Sequence, residues 1–185
     1  MNNIYLGLIH YPVTQNRSVI TSSITNMDMH DISRISATYG LGGYFVIHPD
    51  EKMRNIAHKL SGHWTTGDGK NRNSDRYDAI KNMKIVPDLD AAKTEIKKIH
   101  GEEPVTIGTT ARKKEKSKPL SHILKQKKSP FLILFGTAGG IEDNFLDSLD
   151  IILEPIVTGS GYNHLSVRSA VSIFIDRIYM SDYYR

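Results

Sequence analysis

Residues able to do chemistry gather in the last third of the chain, in two loops that each follow an apolar run. Phe131-Leu132-Ile133-Leu134-Phe135 opens into Gly136-Thr137-Ala138-Gly139-Gly140-Ile141, and a second apolar run breaks into Pro155-Ile156-Val157-Thr158-Gly159-Ser160-Gly161-Tyr162-Asn163-His164-Leu165-Ser166. Glycine has no Cβ, so such turns bring backbone N–H and C=O groups close to a ligand and allow positive φ. Each loop alone also reads as an ordinary strand-to-helix turn. Together, at the carboxyl ends of neighbouring parallel strands, they would wall a pocket. The second loop sets Tyr162, Asn163, His164 and Ser166 directly before a helical repeat of Val167, Ala170, Val171, Phe174, Ile175 and Ile178. A helix start carries unpaired N–H groups. Asn163 and His164 therefore either satisfy that helix or face a ligand, and Ser166 suits an N-cap in both cases.

A second source of chemistry is charge. Arg112, Lys113, Lys114, Lys116, Lys118, Lys125, Lys127 and Lys128 fall in one segment opposed only by Glu115. Such a run forms either a solvated face or a phosphate-binding patch, because clustered cations release counterions from a nucleic-acid backbone. Other chemistries are excluded. The Gly136 loop has neither the GxGxxG spacing nor a Lys-Ser/Thr ending, so no dinucleotide fingerprint or P-loop is present. The eight histidines are scattered without an HExxH pair, which argues against a metal site built from them. No GxSxG elbow occurs.

The elements that must position these residues alternate between strand and helix. Strands are expected at Ile4 to Ile9, Tyr44 to Ile47, Val105 to Thr110 and the two final runs, with a third strand or an extended connection at Ile85-Val86. Thr25-Asn26-Met27-Asp28 reads as a loop and N-cap leading to a helix through Ile32 and Tyr39, closed by Gly40. Helices are expected over Lys52 to Leu60, Asp75 to Met83 and Leu89 to Ile99, with an irregular polar loop from Gly67 to Asn73. This alternation predicts an α/β fold with a parallel sheet covered by helices on both faces.

A length of 185 residues predicts a single domain spanning 1–185. With 39% hydrophobic and 24% charged residues, and no apolar stretch near the roughly 20 residues that cross a bilayer, the chain reads as soluble and not membrane-bound. The first residues carry no basic region and no small-residue cleavage site, so no signal peptide is expected. Cysteine is absent, which removes disulfides and thiolate chemistry and suits a cytoplasmic location.

These motifs resemble those of the SPOUT RNA methyltransferases, in particular the small single-domain bacterial group, over nearly the whole chain. Phe135 to Ile141 is similar to their second motif, and Leu153-Glu154-Pro155-Ile156 through Tyr162-Asn163-His164-Leu165-Ser166-Val167-Arg168-Ser169-Ala170 is similar to their third. Arg34, followed by Ala37 and Tyr39-Gly40, is spaced like the motif-one arginine of the ribose-methylating branch, but Asp28 stands where that branch usually has asparagine. The resemblance implies a C-terminal trefoil knot within about 105–178, S-adenosylmethionine as cofactor, RNA (tRNA or rRNA) as substrate, no metal, and an active site completed across a homodimer. It implies cofactor binding by Thr109, Thr110, Phe135, Gly136, Thr137, Gly140, Ile141, Pro155, Ile156, Gly161, Tyr162, Asn163, His164, Leu165 and Ser166.

Arg34 and Asp28 are then the catalytic candidates. Arg34 is otherwise a helix residue ion-paired to Asp31, and Asp28 otherwise a helix cap. RNA contacts are expected from Arg34, Trp64, Lys70, Arg76, Arg112, Lys113, Lys114 and Lys116. Trp64, which falls in the middle loop beyond the helix expected over Lys52 to Leu60, would stack on a base or else pack at the domain edge. Two other functions suit the same residues: a knotted RNA- or ribosome-binding protein without catalysis, and an α/β enzyme holding another nucleotide.

Overall fold

The structure, a computed structural model, describes residues 1–124 and 129–183, without the side chains of Lys70, Asn71, Ile123, Leu124, Asp182 and Tyr183. Its centre is a parallel sheet. β1 (Ile4–Ile9) and β7 (Phe131–Gly136) pair along their whole length. Both are continuous apolar runs, as strands covered on two faces must be. β4 (Gly43–Ile47) and β5 (Met83–Val86) extend the sheet on one side, and β6 (Val105–Gly108) and β8 (Ile151–Ile152) on the other. The order is β5-β4-β1-β7-β6-β8, with every pairing parallel.

The alternation of side chains along the strands divides the core in two. Ile4, Leu6 and Leu8 face Met29 and Ile32 of α1 (Asn26–Thr38), Ala57 of α2 (Glu51–Thr65), and Val171, Phe174, Ile175 and Ile178 of α8 (Val167–Tyr183). Tyr5 and Ile9 face the other way, toward Ala92 and Ile96 of α5 (Leu89–His100) and Leu146 of α7 (Asp143–Asp147). Order reverses between β1 and β7, where a doubly wound sheet opens a crevice at its strand ends.

The expected alternation is observed, with local differences. The polar loop after Gly67 contains a short helix, α3 (Gly69–Arg72), and the next helix, α4 (Ser74–Ile80), stops before Met83 because β5 begins there. β6 ends at Gly108, so Thr109 and Thr110 lie beyond it. A hairpin of β2 (Val13–Gln15) and β3 (Ser18–Ile20) follows β1, turning at Asn16 and Arg17, both with positive φ. α6 (Ser121–Leu124) precedes β7, and Lys125, Lys127 and Lys128 lie outside the described residues.

Candidate active site

A cavity of about 760 Å³ opens beyond the carboxyl ends of β6 and β7, and three loops with the start of α1 form its walls. Thr109, Thr110, Phe135, Gly136, Thr137, Gly140, Ile156, Asn163, His164, Leu165, Ser166 and Asp28 line it. Ile141, Pro155, Gly161 and Tyr162 are outside that lining. Ile141 is buried in the core beneath the glycine turn, whereas Tyr162 is 71% exposed, its ring edge-on to His164.

The walls are fixed to one another. Asn163 Nδ2 donates to Ala111 O at 2.8 Å, joining the third loop to the first. Lys118 N donates to Ile152 O at 2.8 Å and Glu154 N to Lys118 O at 2.9 Å, so the same two segments also pair at the end of β8. Thr109 Oγ1 donates to Leu134 O at 2.9 Å. Gly140 has φ +100°, and no atom lies within 4 Å of where its Cβ would stand, so the turn both requires glycine and leaves free space at that wall. Ser166 accepts from Ser169 N and caps α8.

Asp28 is buried in the first turn of α1, whose cap is Thr25. Thr25 Oγ1 donates to Asp28 Oδ2 at 2.6 Å and Arg168 Nη1 to Asp28 Oδ1 at 2.8 Å. Arg168 Nε reaches Asp31 at 3.2 Å, taking the partner that spacing alone would give to Arg34. Arg34 itself is exposed and lines an adjoining cleft of about 440 Å³ with Asp31, Arg168, Ser169 and Ser172. The cleft and the cavity share Ser166.

Next to Ser22 of the cavity wall lies a buried histidine pair. The rings of His10 and His48 are 5.3 Å apart. His48 Nδ1 accepts from Asp50 N at 3.1 Å, which leaves Nε2–H to donate to Ser22 O at 3.0 Å. His10 Nδ1 donates to Ile47 O at 3.3 Å, and its Nε2 has no partner among the described residues. Burial, reinforced by His48, pushes the His10 imidazole down to about 4.

The basic candidates are dispersed. Arg112 and Lys114 both bind Asp143, at 2.9 and 2.6 Å, and the Lys114 hydrogen bond holds that carboxyl below its ordinary range. Lys116 is 3.9 Å from Asp147. Lys113 is exposed, with no ion pair among the described residues. Trp64 lies in the last turn of α2, not in a loop; its ring meets His30 edge-on at 5.6 Å, and the Arg76 guanidinium sits 4.5 Å from its centroid. The Lys70 side chain lies outside the described residues.

Sequence reasoning missed Ser22, Ser23 and Thr25, which complete the cavity wall. The hydroxyl-rich run Thr21-Ser22-Ser23-Ile24-Thr25 ahead of an apolar helix was the available signal.

A family model for SAM-dependent RNA methyltransferases matches residues 3–180. The chain belongs to that family. Among its relatives, a protein of Nitratidesulfovibrio vulgaris named tRNA (guanine-N(1)-)-methyltransferase is 41% identical over 177 residues, 95% of this chain and 42% of the relative. The chain thus spans less than half the length of that protein. A protein of Aquifex aeolicus described as uncharacterized is 32% identical over 96% of this chain and 88% of its own length. The SpoU methyltransferase AviRb from Streptomyces viridochromogenes, solved in complex with AdoMet, superposes with a TM-score of 0.61 at 13% identity, over 98% of this chain and 61% of that one. At that identity the likeness establishes the fold, which is that of the SpoU-type methyltransferases.

Proposed function

We propose that the chain transfers a methyl group from S-adenosylmethionine to a nucleotide of tRNA or rRNA. The observation that carries this reading is the cavity at the strand ends, walled by two glycine-bearing loops, with Asp28 the one carboxylate among its described lining residues. Its volume suits a nucleoside-sized ligand, and the open space at Gly140 lets backbone groups approach one. The cofactor, when bound, supplies a methyl activated on a sulfonium. Thr109, Gly136 to Gly140 and Ile156 to Leu165 would hold it through main-chain groups, aligned for in-line displacement. An acceptor oxygen or nitrogen would have to give up a proton on receiving the methyl. Asp28 is the candidate to receive or orient that proton, and Arg168 and Thr25 fix its two oxygens.

Arg34 stands outside its own cavity, which supports a site completed by the Arg34 of a second copy in a homodimer. The apolar residues of α8 do not carry that reading, because Val171, Phe174, Ile175 and Ile178 are consumed by the chain's own core. Met27, Val157 and Leu165, at 60%, 70% and 45% exposure, offer apolar surface for the second copy instead. The trefoil knot within 105–178 is part of the same reading. Its support is that β7 inserts between β1 and β6 while α8 returns from the β8 edge to pack on α1. RNA would meet the cavity rim through Arg34, Lys113 and the Trp64–Arg76 pair, in the cytoplasm. Among the described residues no helix is long and apolar enough to cross a membrane.

Guanine N1 methylation is what the longer relatives' name states, and more than half of each such protein lies outside the region this chain matches. The acceptor in this proposal is a base or ribose atom of the RNA. Calorimetry with S-adenosylhomocysteine tests the cavity, and methyl incorporation into RNA tests the reaction. Binding without incorporation into any RNA would favour a knotted RNA-binding protein instead.

A further inference from the structure

The β2–β3 hairpin enters the core only at its base, through buried Val13 with Ile20 packed beside it, and has no part in the family motifs, yet it is seated on the glycine turn. Thr14 N donates to Gly140 O at 2.9 Å and Gly139 N donates to Thr14 O at 2.7 Å. Val13 bridges Ile141, and Glu142 N donates to Pro12 O at 3.1 Å. A Cβ on Gly139 would stand 2.7 Å from Thr14 O, so the hairpin by itself requires glycine there. The chain leaving the hairpin supplies Ser22 and Ser23 to the cavity wall. The hairpin is therefore an arm fixed at its base to the rim of the site.

Its tip is built differently. Gln15, Asn16, Arg17 and Ser18 are exposed, and Arg17 has no ion pair among the described residues. The turn places Asn16 at φ 49° and Arg17 at φ 66°. Two-residue hairpin turns of this kind favour asparagine followed by glycine. Arginine occupies the glycine position, in a backbone region where its Cβ is disfavoured. Local strain of this sort is tolerated where the side chain is needed. The exposed groups are a guanidinium, two carboxamides and a hydroxyl, donors suited to phosphate and sugar oxygens. Val19 and Tyr11 beside them are 52% and 49% exposed.

We propose that this hairpin is an RNA-contacting arm and that Arg17 is its phosphate contact. The inference rests on the reading of the cavity as an RNA methyltransferase site. A contact at the tip is transmitted through Thr14 to the glycine turn, so the arm places the RNA backbone beside the methyl donor.

The test compares Arg17→Gly, Arg17→Asn and Arg17→Lys by fluorescence anisotropy with end-labelled bulk tRNA over a salt series, alongside thermal unfolding and S-adenosylhomocysteine titration. Arg17→Gly and Arg17→Asn both accept the left-handed backbone, so melting temperature should hold or rise and cofactor-product affinity should hold. RNA affinity at low salt should fall about three- to tenfold, and the slope of log K against log salt should become shallower by about 0.7–0.9, the contribution of one phosphate contact. Arg17→Lys should restore the slope. Wild-type RNA affinity and slope in the glycine and asparagine variants, with stability raised, would overturn the arm and leave Arg17 merely tolerated. If the wild-type protein itself bound no tRNA or rRNA, the underlying function would fail instead.

Discussion

Arg168 Nη1 lies 2.8 Å from Asp28 Oδ1, so the first turn of the last helix is tied to the first turn of the first helix at the cavity wall. Asp28 is nearly buried and its other oxygen is held by Thr25. Removing the guanidinium would strand a carboxylate. Arg168→Ala should therefore destabilise the fold by about 2 kcal/mol, the scale of a lost charged hydrogen bond, measured by urea unfolding. Asp28→Asn preserves size and the Thr25 contact. It should retain S-adenosylhomocysteine binding while methyl transfer falls at least tenfold. Unchanged turnover in Asp28→Asn would remove Asp28 from the proton step.

Gly140→Val should weaken S-adenosylhomocysteine binding by an order of magnitude or more in calorimetry. The reason is twofold: φ +100° is hostile to a β-branched side chain, and the new methyls would stand in the free space at the cavity wall. Equal affinity in a folded variant would move the ligand away from the glycine turn.

Stability should depend on pH through His10. Its folded value near 4 lies below its ordinary 6.5, so the unfolded chain binds the proton more readily. Stability is full above 6.5 and is lost progressively as pH falls from 6.5 toward 4, by about 3 kcal/mol in total. His48, also lowered by burial, acts in the same direction. Chemical unfolding at pH 7, 5.5 and 4.5 should show the decline, and His10→Leu should flatten it. A flat wild-type profile over that range would contradict the buried neutral pair.

Within the basic segment the structure separates residues that the sequence could not. Lys113→Ala should leave the melting temperature unchanged and make the salt dependence of RNA binding shallower by about 0.7–0.9. Lys114→Ala breaks a close pair with Asp143 and should act on stability too. Equal slopes for wild type and Lys113→Ala would assign the segment to structure alone.

What was legible in the sequence followed from local pattern. The strands at Ile4 to Ile9 and Phe131 to Phe135 announce themselves because two-sided burial demands unbroken apolar runs. The glycine loops were legible because few residues accept such backbone. The β2–β3 hairpin was not, since each strand has three residues and its turn lacks glycine. Nor could spacing pair Asp28 with Arg168, which stand 140 residues apart and meet only once α1 and α8 pack together. For the same reason spacing pairs Arg34 with Asp31, a contact that Arg168 takes. Trp64 falls in the expected loop because the α2 pattern loses its apolar stripe after Leu60, while the helix itself continues to Thr65.

Central to the proposed function is delivery of a methyl group from this cavity to RNA with Arg34 supplied by a second copy. It is tested most directly by mixing Arg34→Ala protein with Gly140→Val protein, refolding the mixture together, and measuring transfer of labelled methyl from S-adenosylmethionine to unmodified RNA. Each variant alone should be nearly inactive. The mixture should recover roughly a quarter of wild-type activity, because half of randomly formed dimers are mixed and each holds one intact site. An inactive mixture of demonstrated mixed dimers, or full activity in Arg34→Ala alone, would contradict the account.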